Sequence, residues 1–293
     1  MNEIYALEPS VELDCRGLRF LLDKFGFAEG RFLAELPSNW KRELLGRFDG
    51  LERVRATELL SRKVFVPIDF RYNHSIPWRS NAERALMESR PRLSAAIVSG
   101  SNQPGFLSAD SLLDDPAAAL PDSRGAHIER TAESYLRAIE PLLKTSSEIF
   151  LVDRFFTCWN GSYEKHRQTK FLVGLLKLAS KHRVCERVEL INGRAQCLVG
   201  RDESSWQDFL TDVRLKSAVT SLSLVYSFVE DWLREGNPSE ETSGDSFHPR
   251  YIFSKFAGLQ FDWGFDVDNR SGQKNHVHWL SQAELEPLVR QFC

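Results

Sequence analysis

The strongest constraint on this chain is an alternation that sets in after Pro91. Short apolar runs at Leu93–Val98, Glu148–Asp153, Arg187–Ile191 and Val219–Val225 are separated by stretches with helical periodicity near 128–143, 164–181 and 205–213. Strands joined through helices of that length pair in parallel by right-handed crossovers and must be covered on both faces. The pattern therefore predicts an α/β domain with one mainly parallel sheet holding all four runs. Tyr251–Phe253 and Leu259–Phe261 read as a hairpin joining it, after a polar insertion at 235–247. Ser281 with Glu284 three residues on marks the start of a last helix to Phe292 by a capping box.

The first ninety residues read differently. Leu18, Leu21, Leu22 and Phe25, and then Leu33, Leu36, Trp40, Leu44 and Phe48, fall at helical spacing, and Asp49-Gly50 separates them from a further periodic stretch, Leu51–Leu60. Val64–Phe70 is β-branched and aromatic but holds Pro67, as an edge strand or an extended loop does. This predicts a mainly helical region at 1–92 and an α/β domain at 93–293, with 101–124 a loop carrying one helical turn. Residues 1–92 hold 16 basic and 14 acidic side chains, leaving 22 basic and 27 acidic for the rest. The basic excess is small and points only weakly toward a partner; protein partners are expected to bind through residues 1–92. Trp40, Lys41, Arg42, Arg47, Arg53, Arg55, Arg62 and Lys63 could contact phosphates, but interleaved Glu43, Asp49, Glu52 and Glu58 favour a solvated, salt-bridged face.

Composition removes several classes. At 293 residues, 42% hydrophobic and 27% charged, the chain can bury a real core. It has no run of 18 apolar residues, and its acidic first twenty positions do not resemble a signal peptide, so a cytoplasmic protein without a transmembrane segment is expected. Five scattered cysteines with no C-x-x-C pair argue against a zinc ribbon or a disulfide framework. Neither G-x-x-x-x-G-K-[ST] nor G-x-G-x-x-G occurs, so no nucleotide cofactor is expected.

Chemistry concentrates in His248-Pro249-Arg250-Tyr251-Ile252-Phe253, followed by Gly258-Leu259-Gln260-Phe261-Asp262-Trp263-Gly264-Phe265-Asp266. His248 and Arg250, two apart on a strand, share a face and could hold a phosphoryl group. With the strand E-I-F-L-V-D-R-F-F at 148–156, this stretch resembles the phospholipase-D-like domain found at the C-terminus of MIT-domain proteins and in prokaryotic relatives. The resemblance covers roughly 126–293. It implies that His248 and Arg250 take the H-x-R places, Gly258 the hairpin glycine, Gly264 and Asp266 the closing glycine and acid, and Asp153 the strand-end acid.

Active phospholipase-D-type enzymes carry His-x-Lys-x4-Asp. Here Arg250 stands at the lysine place and Lys255 at the aspartate place, and one His motif is present where two are needed. The expected function is thus a catalytically degenerate, phosphate-recognising binding or scaffold module, with nucleic acid a candidate ligand. The resemblance further implies a setting in prokaryotic antiviral defence or nucleic-acid-associated complexes. The alternative is a homodimeric phosphodiesterase or nuclease with His248 as nucleophile and Arg250 and Asp153 in support. Plainer readings stand beside these: His248 a turn residue, Arg250 a solvated strand charge or an ion-pair partner of Asp266, Asp153 a cap of the following turn. His276 and His278 could be two ligands of one metal on a strand, yet no third ligand lies at a recognisable spacing, so no metal is expected.

Overall fold

A computed structural model describes residues 2–100, 103–116, 120, 123–153, 156, 161–193, 204–229, 250–265, 267 and 272–293, with the backbone alone over 161–168. The chain divides into two compact units, Met1–Arg124 and Gly125–Cys293.

The N-terminal unit is built on a five-stranded sheet rather than on helices alone. Its strands are β1 (Glu3–Leu7), β2 (Arg31–Ala34), β3 (Phe65–Val66), β4 (Ala95–Val98) and β5 (Phe106–Ser108), in the order β3-β2-β1-β4-β5 with every neighbour parallel. Between them run α1 (Cys15–Leu22), α2 (Trp40–Leu45), α3 (Gly50–Ser61) and α4 (Trp78–Glu88), and α5 (Ala109–Asp114) follows the last of them. Asp14 caps α1 by accepting from the Gly17 amide, and Leu18, Leu21 and Leu22 turn inward as their spacing predicts. Trp40 is fully buried and its indole donates to the Leu7 carbonyl, tying α2 to the central strand.

Three expectations for this region are corrected. The region is α/β, not mainly helical, because Ile4–Leu7 and Phe32–Ala34 are short runs buried on both faces, which periodicity alone cannot separate from helix. Leu33 to Phe48 is not one helix: Leu33 lies in β2, and α2 begins at Trp40. The run Leu93–Val98 belongs to this unit, as β4 beside β1, and not to the sheet of 148–153, so the boundary falls at 124/125 instead of 92/93. Pro67 does follow an edge strand, β3.

The C-terminal unit has a seven-stranded mixed sheet. Its strands are β6 (Gly125–Glu129), β7 (Glu148–Val152), β8 (Arg187–Gly193), β9 (Ser223–Val229), β10 (Arg250–Phe253), β11 (Gly258–Phe261) and β12 (Lys274–Trp279), in the order β6-β12-β11-β10-β7-β8-β9. The β7-β8-β9 half is parallel, as the alternation predicts, while β10, β11, β12 and β6 pair antiparallel. The expectation of a mainly parallel sheet is thereby corrected for this unit, since β10, β11 and β12 follow one another with no crossover helix among the described residues between them and so alternate in direction. The helices are α6 (Ala132–Leu143), α7 (Gly161–His182), α8 (Ser204–Ser217) and α9 (Gln282–Phe292). The helix expected from 128 begins later, because 125–129 is taken by β6.

One face of the sheet packs an aromatic core in which Phe261 lies 5.3 Å from Tyr135 and 5.1 Å from Phe265, and Phe171 stacks on Phe265. On the other face, Leu285 of α9 covers Phe150, Val152 and Phe253. The capping box at Ser281 and Glu284 is present. Among the described residues no helix is long and apolar enough to cross a membrane.

Candidate functional site

β7 and β10 run antiparallel, with Tyr251 opposite Val152, so the residue before Tyr251 and the residue after Val152 meet at one end of the sheet. They are Arg250 and Asp153. Arg250 Nε donates to Asp153 Oδ1 at 3.2 Å and Nη1 donates to the Asp262 carbonyl at 3.0 Å. Asp153 is buried and Arg250 largely so, so the pair is screened little by solvent.

Gly264 presses against the pair. Its φ is +78°, and a Cβ there would sit 2.6 Å from Arg250 Nε and 3.1 Å from Asp153 Oδ2. Only glycine meets both demands. The turn that carries it is fixed by Asn275, fully buried on β12, which accepts from the Trp263 amide at 3.0 Å and donates to the Gly264 carbonyl at 3.2 Å and to Tyr135 Oη at 2.9 Å. Behind Asp153, the buried Asn192 at the end of β8 donates to the Asp153 and Phe156 carbonyls at 2.9 and 3.0 Å.

Three of the site residues named from the sequence thus converge: Asp153, Arg250 and Gly264. Two do not. Lys255 lies in the hairpin turn at the other end of β10, its Nζ 3.4 Å from Glu148 Oε2. Glu148 opens β7 and Asp153 follows its end, five residues or about 16 Å along the strand at ~3.3 Å each. Lys255 thus stands too far along the strand to share a small ligand with Arg250, and its ammonium is in an ion pair with Glu148. Gly258 stands at that far end too, where a Cβ would meet Phe253 Cβ at 2.7 Å and Leu280 Cδ1 at 2.8 Å. The missing side chain lets the hairpin pack closely against Phe253 and Leu280. His248 and Asp266 lie outside the described residues, as do Cys158 and Cys197. Arg250 is in an ion pair with Asp153; the pairing with Asp266 expected for it falls on a residue outside the described ones.

A second constellation occupies the opposite face of the same strands. Arg250 is registered with Phe261, and Phe261 with Val277, so by strand alternation Asp262, His276 and His278 project the other way. Asp262 Oδ2 lies 3.4 Å from His276 Nδ1, and one ligand atom from each of Asp262, His276 and His278 falls within 4.8 Å of the others. His276 is also registered with His127 on β6, the rings 5.0 Å apart. Asp262 joins the constellations, its carbonyl toward Arg250 and its carboxylate toward His276.

Sequence reasoning missed Asn192, Asn275 and Asp262. The first two carried a signal, an Asn at a position where strand alternation or an apolar run demands a buried residue. Asp262 carried none, because its partners are fourteen and sixteen residues away and meet it only through the register of β11 with β12.

The basic cluster of the N-terminal unit is salt-bridged where its partners are seen: Arg62 to Glu58, Lys63 to Asp23 at 3.3 Å and Lys41 to Glu35 at 2.7 Å.

No family model and no curated protein matches the chain. Among solved structures it is similar to TrmBL2, described as an archaeal chromatin protein that shows a novel mode of DNA binding, at 11% identity and a TM-score of 0.27. The match covers 62% of this chain and spans 56% of that one. A similarity this low defines neither fold nor function.

Proposed function

We propose that the C-terminal unit is a phospholipase-D-like module that recognises the phosphodiester groups of nucleic acid and does not hydrolyse them efficiently. The observation that carries this reading is the meeting of Arg250, Asp153 and Gly264, distant in sequence, at the end of β7 where its parallel run finishes. Carboxyl ends of strands in open α/β sheets are where ligands gather. Arg250, with Nε and Nη1 both engaged, presents a fixed guanidinium plane, the geometry suited to a phosphate. Its charge is already balanced by Asp153, so it orients an anion better than it stabilises the extra charge of a phosphoryl-transfer transition state.

The test titrates single- and double-stranded DNA and RNA oligonucleotides against wild type, Arg250→Lys and Lys255→Ala, with cleavage followed in parallel. Arg250→Lys keeps the charge and loses the fork, and is expected to weaken binding by about 1.5–3 kcal/mol, the worth of a charge-assisted hydrogen bond. Lys255→Ala, at the far end of the hairpin, should bind as wild type does. Absence of binding by folded wild type would sink the reading, and robust cleavage abolished by His248→Ala would replace it with a dimeric nuclease.

A further inference from the structure

The imidazole and carboxylate cluster on the other face of the sheet is not used by the phosphate reading and stands independently of it. Asp262 and His276 are a cross-strand pair: the Asp262 amide donates to the His276 carbonyl at 3.1 Å, extending the β11–β12 ladder by one step. His278 follows His276 at the strand period and so joins the same face. Gly125 lies opposite His278 on β6, and a Cβ there would sit 3.0 Å from His276 Nε2 and 3.4 Å from His278 Cβ. A side chain at 125 would therefore press on both imidazoles. With its Nε2 edge against Gly125, His276 turns Nδ1 to Asp262.

We propose that Asp262, His276 and His278 form a binding site for a divalent transition-metal ion of the zinc class. The distances fit this chemistry. A tetrahedral ion with ligand bonds of about 2.0–2.1 Å needs its ligand atoms about 3.4 Å apart, the separation found between Asp262 Oδ2 and His276 Nδ1. His278 needs a shift of little more than 1 Å to come within that distance, the three ligand atoms lying within 4.8 Å already. Two neutral imidazoles and one carboxylate suit zinc, cobalt or iron(II) and disfavour calcium and magnesium, which take oxygen ligands. Three protein ligands on a half-exposed face leave the fourth position to water, the arrangement of an open site rather than a closed structural one.

The experiment uses full-length protein stripped with chelator and titrated calorimetrically with Zn²⁺, with Co²⁺ as a spectroscopic substitute and Mg²⁺ as a control. One tight Zn²⁺ per chain is expected, with the intense visible absorption of tetrahedral Co²⁺ and no Mg²⁺ binding. His276→Gln, His278→Gln and the isosteric Asp262→Asn should each weaken Zn²⁺ by more than about tenfold, since even residues that only support metal ligands cost that much. His74→Gln in the N-terminal unit should change nothing. Wild type that takes up no zinc, or zinc affinity and Co²⁺ spectrum unchanged in His276→Gln and His278→Gln, would overturn the proposal. Should a histidine variant unfold, Asp262→Asn and the Co²⁺ spectrum of wild type decide alone.

Discussion

Both units of the chain close the end of a parallel strand with an acid and an arginine brought from far along the sequence, and they build the pair differently. In the N-terminal unit Glu8 follows β1, and Arg79 of α4 reaches it with two contacts of 3.5 Å while donating to the Ser99 carbonyl at 2.7 Å. Arg79 stays 45% exposed. In the C-terminal unit the Arg250 side chain is only 18% exposed, its contact to Asp153 is 3.2 Å, and Gly264 is packed onto it. The first pair joins the buried Glu8 to an arginine that stays open to solvent, so water screens it, and its contacts of 3.5 Å make it the looser of the two. The second is a buried pair whose members cannot be removed singly without leaving a desolvated charge.

That difference sets the largest expected effect. Arg250→Ala strands the Asp153 carboxylate and should cost the C-terminal unit about 3–5 kcal/mol, whereas Arg79→Ala removes a longer, solvent-screened contact from Glu8 and should cost the N-terminal unit less. Denaturant unfolding followed by hydrogen exchange of peptides from each unit separates the two. Equal losses would erase the distinction between a loose and a locked pair.

The glycines sharpen it at a smaller scale. Gly50 and Gly264 both have positive φ, +50° and +78°, so alanine at either bears left-handed strain of about 1–2 kcal/mol. A Cβ on Gly50 meets nothing within 4 Å, while one on Gly264 collides with Arg250. Gly264→Ala should therefore cost at least about 1 kcal/mol more than Gly50→Ala, the range of overpacking, and should also loosen phosphate binding. Equal stability losses would mean that the Arg250 side chain can move aside freely, and the pair would not be locked.

What was legible in the sequence follows from the range of the interaction that decides it. The 187–191 run, the helix to His182, the 251–261 hairpin and the Ser281 cap are set by local pattern, and the structure has them. β1 and β2 were hidden because a short strand buried on both faces shows no period of two. The placing of β4 was hidden because a strand's sequence does not say which of two sheets it will join. In the site, Asp153 and Arg250 were visible as charges at the ends of apolar strands, and their meeting needs only an antiparallel β7–β10 pairing. Lys255 was named for the motif place it takes along the chain, and a strand carries a residue five positions on to the other end of the sheet, so that place says nothing of distance from Arg250. Asp262 became meaningful only with the β11–β12 register.

The smallest expected effect concerns pH. His182 closes α7, with Nε2 3.2 Å from Glu140 Oε1, and Lys144 binds the same carboxylate at 3.0 Å. Burial, and then the Lys144 charge, hold the imidazole below its ordinary value of 6.5, and the Glu140 carboxylate opposes them without prevailing. A depressed histidine binds fewer protons folded than unfolded, so its contribution to stability is whole above about pH 6.5 and is lost as pH falls from there through the lower folded value. The C-terminal unit should accordingly lose stability on acidification below about pH 6.5 more steeply in wild type than in His182→Gln. The comparison is made with chelator present, so that the three residues proposed to hold metal do not contribute. The N-terminal unit, whose one histidine is the exposed His74, should respond identically in the two proteins. A wild-type C-terminal unit no more acid-sensitive than the variant would show that Glu140, rather than burial and Lys144, governs His182.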